Sequence, residues 1–210
     1  MTVRRPPEVP RRSGHPRADS KIKLRIEAVE DLDERACYDA IFCNSVLQWL
    51  TDPPRALANC HRALRPGGRM AAQAPARRNY CPNFTRAVAG LAEDESTRAG
   101  WSRFRSPWFF LETAQEYADL FEAAGFEVLD AEIREVTDRC SPEKAMEVFD
   151  SGAAAGYLNP ACYEGGVGDD YLARARAVVA ERLGAQADTE GLIDVTFHRV
   201  YVLARKPIEL

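Results

Sequence analysis

Apolar and polar positions change rhythm several times along the chain, and each change marks an element. Residues 1–20 show almost no apolar periodicity. Such a segment cannot bury enough surface to offset its ordering entropy, so disorder is expected there. Lys21 to Glu27 alternates strictly between charged and apolar residues and predicts a strand. Ala40-Ile41-Phe42 is an apolar run short enough for a buried strand, turning polar at Cys43-Asn44-Ser45. Thr51-Asp52-Pro53 then offers an N-cap with proline in the first turn. The helix that this starts, Pro53 to Leu64, places Leu57, Cys60 and Leu64 along one face. Pro66-Gly67-Gly68 turns the chain into a second apolar strand, Met70 to Ala74. Strand, polar exit, helix, turn and strand make one βαβ unit, and the rest of the chain is arranged around it.

Further on, Pro75 to Pro82 reads as a polar loop and Asn83 to Leu91 as a helix. Thr113-Ala114-Gln115-Glu116 is a capping box. Its helix turns Tyr117, Leu120 and Phe121 inward and stops at Ala124-Gly125. A strand from Phe126 runs towards Val136, a helical insert (Pro142 to Phe149) and a longer helix (Asp169 to Leu183) follow, and Leu192 to Ala204 alternates as the last strand. The pattern divides the chain into a leader, 1–20, and one domain, 21–210.

Composition adds few constraints. With 210 residues, 46% hydrophobic and 29% charged, the chain suits one globular domain. The net charge of −4 is uneven. Residues 1–25 carry eight Lys/Arg against two acids, which leaves the remainder strongly acidic. This basic run is short, proline-broken and free of aromatics, so neither nucleic acid nor a membrane is expected as partner. No apolar stretch is long enough to span a bilayer. Six cysteines without CxxC spacing predict free thiols in a cytoplasmic protein. The three histidines, His15, His61 and His198, are scattered, and no metal site is expected.

Tyr38-Asp39-Ala40-Ile41-Phe42-Cys43-Asn44, then Gln48-Trp49, then Leu64-Arg65-Pro66-Gly67-Gly68 resemble the back half of a class I S-adenosylmethionine-dependent methyltransferase. The Asn-x-x-x-Gln-Trp signature is most similar to the branch holding trans-aconitate and malonyl-carrier-protein methyltransferases. The resemblance runs from about Lys21 to Lys206. It implies an α/β fold, a Rossmann-like class I methyltransferase sheet with a helical insert before the last strand. That last strand should enter antiparallel between its two predecessors. The family's opening strand, Gly-x-Gly loop and ribose-holding acid have no counterpart here, because the only early glycine is Gly14. The sheet is therefore expected to be incomplete at its N-terminal half, with an edge free for self-association.

The resemblance also assigns roles. Val29 and Glu30 stand where the family lies along the adenine ring, and Cys43, Asn44 and Ser45 would meet the rest of S-adenosylmethionine. Gln48 would orient an acceptor oxygen, and Trp49 would face the cationic donor with its ring. Asn44, Gln48 and Trp49 are together expected to line the mouth of the crossover. The aromatic stretch Trp101 to Phe110 follows the family's pocket-roofing segment. There Trp101, Arg103 and Arg105 would bind an acidic acceptor, arginine offering a carboxylate its bidentate fork. The alternative for that stretch is a loop whose aromatics plug the core while its arginines face water. The function implied is O-methylation of a small carboxylic acid, a small-molecule acceptor being the partner. The other reading is a truncated or degenerate methyltransferase-fold protein, an interaction subunit or gene fragment without activity of its own.

Overall fold

A computed structural model describes residues 22–208. The elements in chain order are β1 (Tyr38–Asn44), α1 (Pro53–Ala63), β2 (Leu64–Pro75), α2 (Pro82–Glu93), α3 (Arg98–Trp101), α4 (Ala114–Ala123), β3 (Glu127–Cys140), α5 (Pro142–Ser151), α6 (Ala154–Tyr157), α7 (Asp169–Gly184) and β4 (Ile193–Arg205). The strands form one sheet in the order β1-β2-β4-β3. β1 and β2 are parallel, as the βαβ pattern requires, and β4 runs antiparallel between β2 and β3.

The predicted crossover is present. Asp52 accepts from the Arg55 backbone N–H at 3.2 Å and caps α1, with proline at its first positions. Ala56, Leu57, Cys60 and Ala63 then face the sheet. Pro66-Gly67-Gly68 falls inside β2 rather than before it. Tyr38 pairs with Leu64 and Ala40 with Arg69, so the turn survives as a bulge, with Gly67 at φ +79°. The capping box of α4 forms with both of its hydrogen bonds.

One expected strand is missing. Lys21 lies outside the described residues, as does the leader 1–20, and residues 22–28 have no regular structure. Ile22, Leu24 and Ile26 are instead strongly exposed. Alternation supplies the faces of a strand but not its ladder, and none of the described strands pairs with this segment.

The core has two parts, meeting on β4. Towards its C-terminal end, Val200, Val202 and Ala204 join Met70, Ala72 and Ala74 under α1 and α4, whose Leu57, Tyr117 and Phe121 are buried. Towards its N-terminal end the opposite parity is buried. Ile193 and Val195, with Phe197 partly buried beside them, pack against α2, α5 and α7 through Phe84, Phe149 and Val179. β4 therefore changes its buried face between Phe197 and Val200. Beside the first core, the other face of the sheet stays open, with Phe42 74% and Leu203 37% exposed. No described helix is long and apolar enough to cross a membrane.

Candidate functional site

The chain leaves β1 through Ser45, whose φ of +55° is rare for a side-chain-bearing residue. Its backbone N–H donates to the Gln73 carbonyl at 2.7 Å, extending the sheet by one rung. A 3₁₀ turn over Leu47–Trp49 follows. Leu47 anchors that turn in the first core, while Gln48 and Trp49 point towards the second. Between them opens a cavity of about 420 Å³, at the carboxyl ends of β1 and β2 where open α/β sheets hold ligands.

Gln48, Trp49, Tyr80, Trp108, Phe110 and Arg199 give this cavity its character. Gln48 is 7% exposed. Its Nε2 donates to the Ser45 carbonyl at 3.0 Å, whereas its buried Oε1 has no hydrogen-bond partner among the described residues. The Phe109 backbone N–H donates to the Gln48 carbonyl at 2.9 Å and ties the aromatic loop to the turn. Trp108 meets Trp49 edge-on at 5.7 Å, and Tyr80 stacks on Phe110 at 5.5 Å. Burial above all, and then the adjacent Tyr157, holds the Tyr80 phenol far above its ordinary range, so it stays a neutral donor. The Arg199 guanidinium lies 5.1 Å from the Phe197 ring centre and forms no ion pair with a described residue. The cavity thus combines aromatic walls, one cation and one unpaired amide.

The expected site residues are only partly brought together. Ser45, Gln48 and Trp49 line the cavity. Asn44 does not. Strand alternation turns it away, to the exposed face opposite the first core. Val29 and Cys43 line a separate apolar slot of about 130 Å³ with Ile41, Val46 and Leu47. Glu30 is committed to structure, accepting from the Thr51 N–H at 2.9 Å, the Thr51 hydroxyl at 3.1 Å and the Asp52 N–H at 3.4 Å. Partial burial pushes its carboxyl up, but these bonds together with its own backbone outweigh that and leave it below the usual value.

Trp101 stacks on Phe104 at 4.8 Å and lines a larger neighbouring groove. The carboxylate clamp expected of Arg103 and Arg105 is already occupied. Arg105 grips the Glu164 carboxylate with two bonds of 2.9 Å, and Arg103 donates to the Glu164 carbonyl at 3.0 Å. Glu164 is far off in sequence, so no local spacing could reveal the pairing. Arg199 and Tyr80 were not anticipated either. The one signal for Arg199 is a charged residue on the parity that Val195 and Phe197 set for burial. No group of three or more His, Cys, Asp or Glu able to hold a metal ion occurs among the described residues.

Residues 10–131 match the family described as Methyltransferase domain. The chain belongs to that family. Over 106 residues, 49% of its length, this methyltransferase domain is 35% identical to the trans-aconitate 2-methyltransferase of Deinococcus radiodurans, and the match spans 40% of that relative. Among solved structures it is similar to the YcgJ protein of Bacillus subtilis, at 14% identity and a TM-score of 0.48, covering 86% of this chain and 69% of that one. It is also similar to the 4+2 cyclase SpnF, at 19% identity and a TM-score of 0.46, covering 88% and 56%.

Proposed function

We propose that this methyltransferase domain takes part in S-adenosylmethionine-dependent methylation of a carboxylate oxygen on a small organic acid. The observation that carries the reading is Arg199, a cation without a described ion-pair partner, in an aromatic cavity beside the unpaired amide of Gln48. An Arg fork suits a carboxylate, and walls of low polarity strengthen that pairing. The relative's name, trans-aconitate 2-methyltransferase, agrees with an acidic acceptor.

The donor would supply a methyl group on a positively charged sulfur, and the chain's own residues would do the rest. A carboxylate is ionised at neutral pH and needs no general base. Positioning alone can then supply ~7 kcal/mol or more of the barrier. Arg199 would hold the acid, Gln48 would fix its rotation, and Trp49 would favour positive charge at the mouth through its ring face. On the donor side, the apolar slot lined by Val29, Cys43 and Leu47 suits the flat face of an adenine. Glu30, already bound to Thr51 and Asp52, is a poor candidate for the ribose hydroxyls.

Titration of the full chain with S-adenosylmethionine in a calorimeter tests the reading. Saturable micromolar binding is expected, and absence of binding overturns it. A second reading, a methyltransferase-fold protein without activity of its own, is favoured by the open sheet face around Phe42. It predicts no heat with this chain alone, and heat restored when an N-terminal methyltransferase half is added.

A further inference from the structure

Beyond Trp108 the cavity has a neighbour, a groove of about 760 Å³ along the exposed strip of α2. Trp108 and Phe110 line both spaces. The groove's own walls are mainly aromatic and apolar, with Val88, Trp101, Phe104 and Tyr157, beside the hydroxyls of Thr85 and Ser106 and with Arg78 as the one cation in its lining. Trp108 is a side that both spaces share, and it is closely packed from behind. A Cβ at Gly156 would overlap its ring, and Tyr157 meets it edge-on at 4.7 Å.

We infer that cavity and groove form one acceptor site, in which Arg199 and Gln48 hold a single carboxylate and the groove takes an apolar tail. The preferred acceptor is then a monocarboxylic acid with a long aliphatic or aromatic chain, rather than a compact polyacid. This rests on the acid-methylating reading and narrows it.

Two observations favour the tail. Arg199 is the one cation lining the cavity, so a second or third carboxylate there would be desolvated without a partner. The groove, in turn, sets one cation, Arg78, and the hydroxyls of Thr85 and Ser106 among mostly aromatic and apolar side chains, and an apolar chain laid along it would leave water for that surface. Its volume lies in the range of small-molecule sites.

The three tryptophans of the chain, Trp49, Trp101 and Trp108, all line one or both spaces, so intrinsic fluorescence reports occupancy. The full chain is titrated with butanoate, octanoate, dodecanoate below its micelle concentration, and trans-aconitate. Octanoate is expected to bind at least tenfold tighter than butanoate, and dodecanoate tighter still. Arg199→Gln should weaken every monoacid at least tenfold. Ala89→Phe and Ala92→Phe, both on the exposed strip of α2, should each bring the octanoate-to-butanoate ratio near one, with circular dichroism confirming the fold. Equal affinity across chain lengths, tighter binding of trans-aconitate than of octanoate, or no acid binding at all overturns the inference. Titration with S-adenosylmethionine separates the two levels. Donor binding without a length preference rejects the tail alone, and a length preference without donor binding rejects methylation.

Discussion

The two ends of β4 teach different lessons about how this chain builds a core. Near its C-terminal end the four-stranded sheet is covered on one face, where alanines on β2 and β4 let α1 and α4 approach closely. Near its N-terminal end β4 and β3 continue as a two-stranded ribbon, and the opposite face is covered by larger side chains from α2, α5 and α7. Where the buried parity switches, between Phe197 and Val200, neither core is complete, and the cavity opens there. A strand that serves two cores on opposite faces leaves a gap at the crossover of its duties. Arg199 sits in that gap because the position belongs to neither core.

The largest effect should come from contrasting the closed and open faces of the C-terminal half. Phe121 is fully buried, and Phe121→Ala should cost about 3–5 kcal/mol in chemical denaturation. Phe42→Ala, on the open face, should stay within about 0.5 kcal/mol. A Phe42 cost close to that of Phe121 would mean that the open face is covered in solution, and the contrast between faces would fail.

Gly156→Ala acts on the other core. Its new methyl would overlap the Trp108 ring and should cost about 1–3 kcal/mol, with a shift of tryptophan emission. An unchanged spectrum would show that Trp108 is not wedged there.

The smallest effect, at mildly alkaline pH, is on pH dependence. Burial chiefly, with some help from Cys43, pushes the Cys60 thiol up to about 12. The folded pKa is raised, so this contribution is complete below the unfolded value of about 8.5 and is lost as pH rises from there towards 12. Stability should therefore decline over that alkaline window, and Cys60→Ala should flatten the decline. Exposed Cys37 should alkylate readily at neutral pH, while Cys60 does so only on unfolding. Rapid alkylation of both in the folded chain would show that the first core is loosely packed.

Much of the fold was legible because its signals are local. The Asp52-Pro53 start of α1, the Thr113-Glu116 box and the Gly125 stop each depend on residues within one or two turns, and all three form. The strand expected near Lys23 failed for the converse reason, since a strand exists only with a partner. For the site, Gln48 and Trp49 were legible because the turn carrying them directly follows the strand. The roles of Arg105 and Glu30 were not, because Glu164 and Thr51 occupy them from distant or differently folded segments.

By itself the sequence determined the order of elements, the parallel crossover and the family, since periodicity, caps and motifs are written in neighbouring residues. Only the tertiary structure decided which arginine is free and which is paired, and where β4 changes its buried face. It also decided that two aromatic spaces share Trp108. Those are relations between segments as distant in sequence as Gln48 and Arg199, or Arg105 and Glu164, and charge or packing at such distances is set by what the folded chain brings into contact.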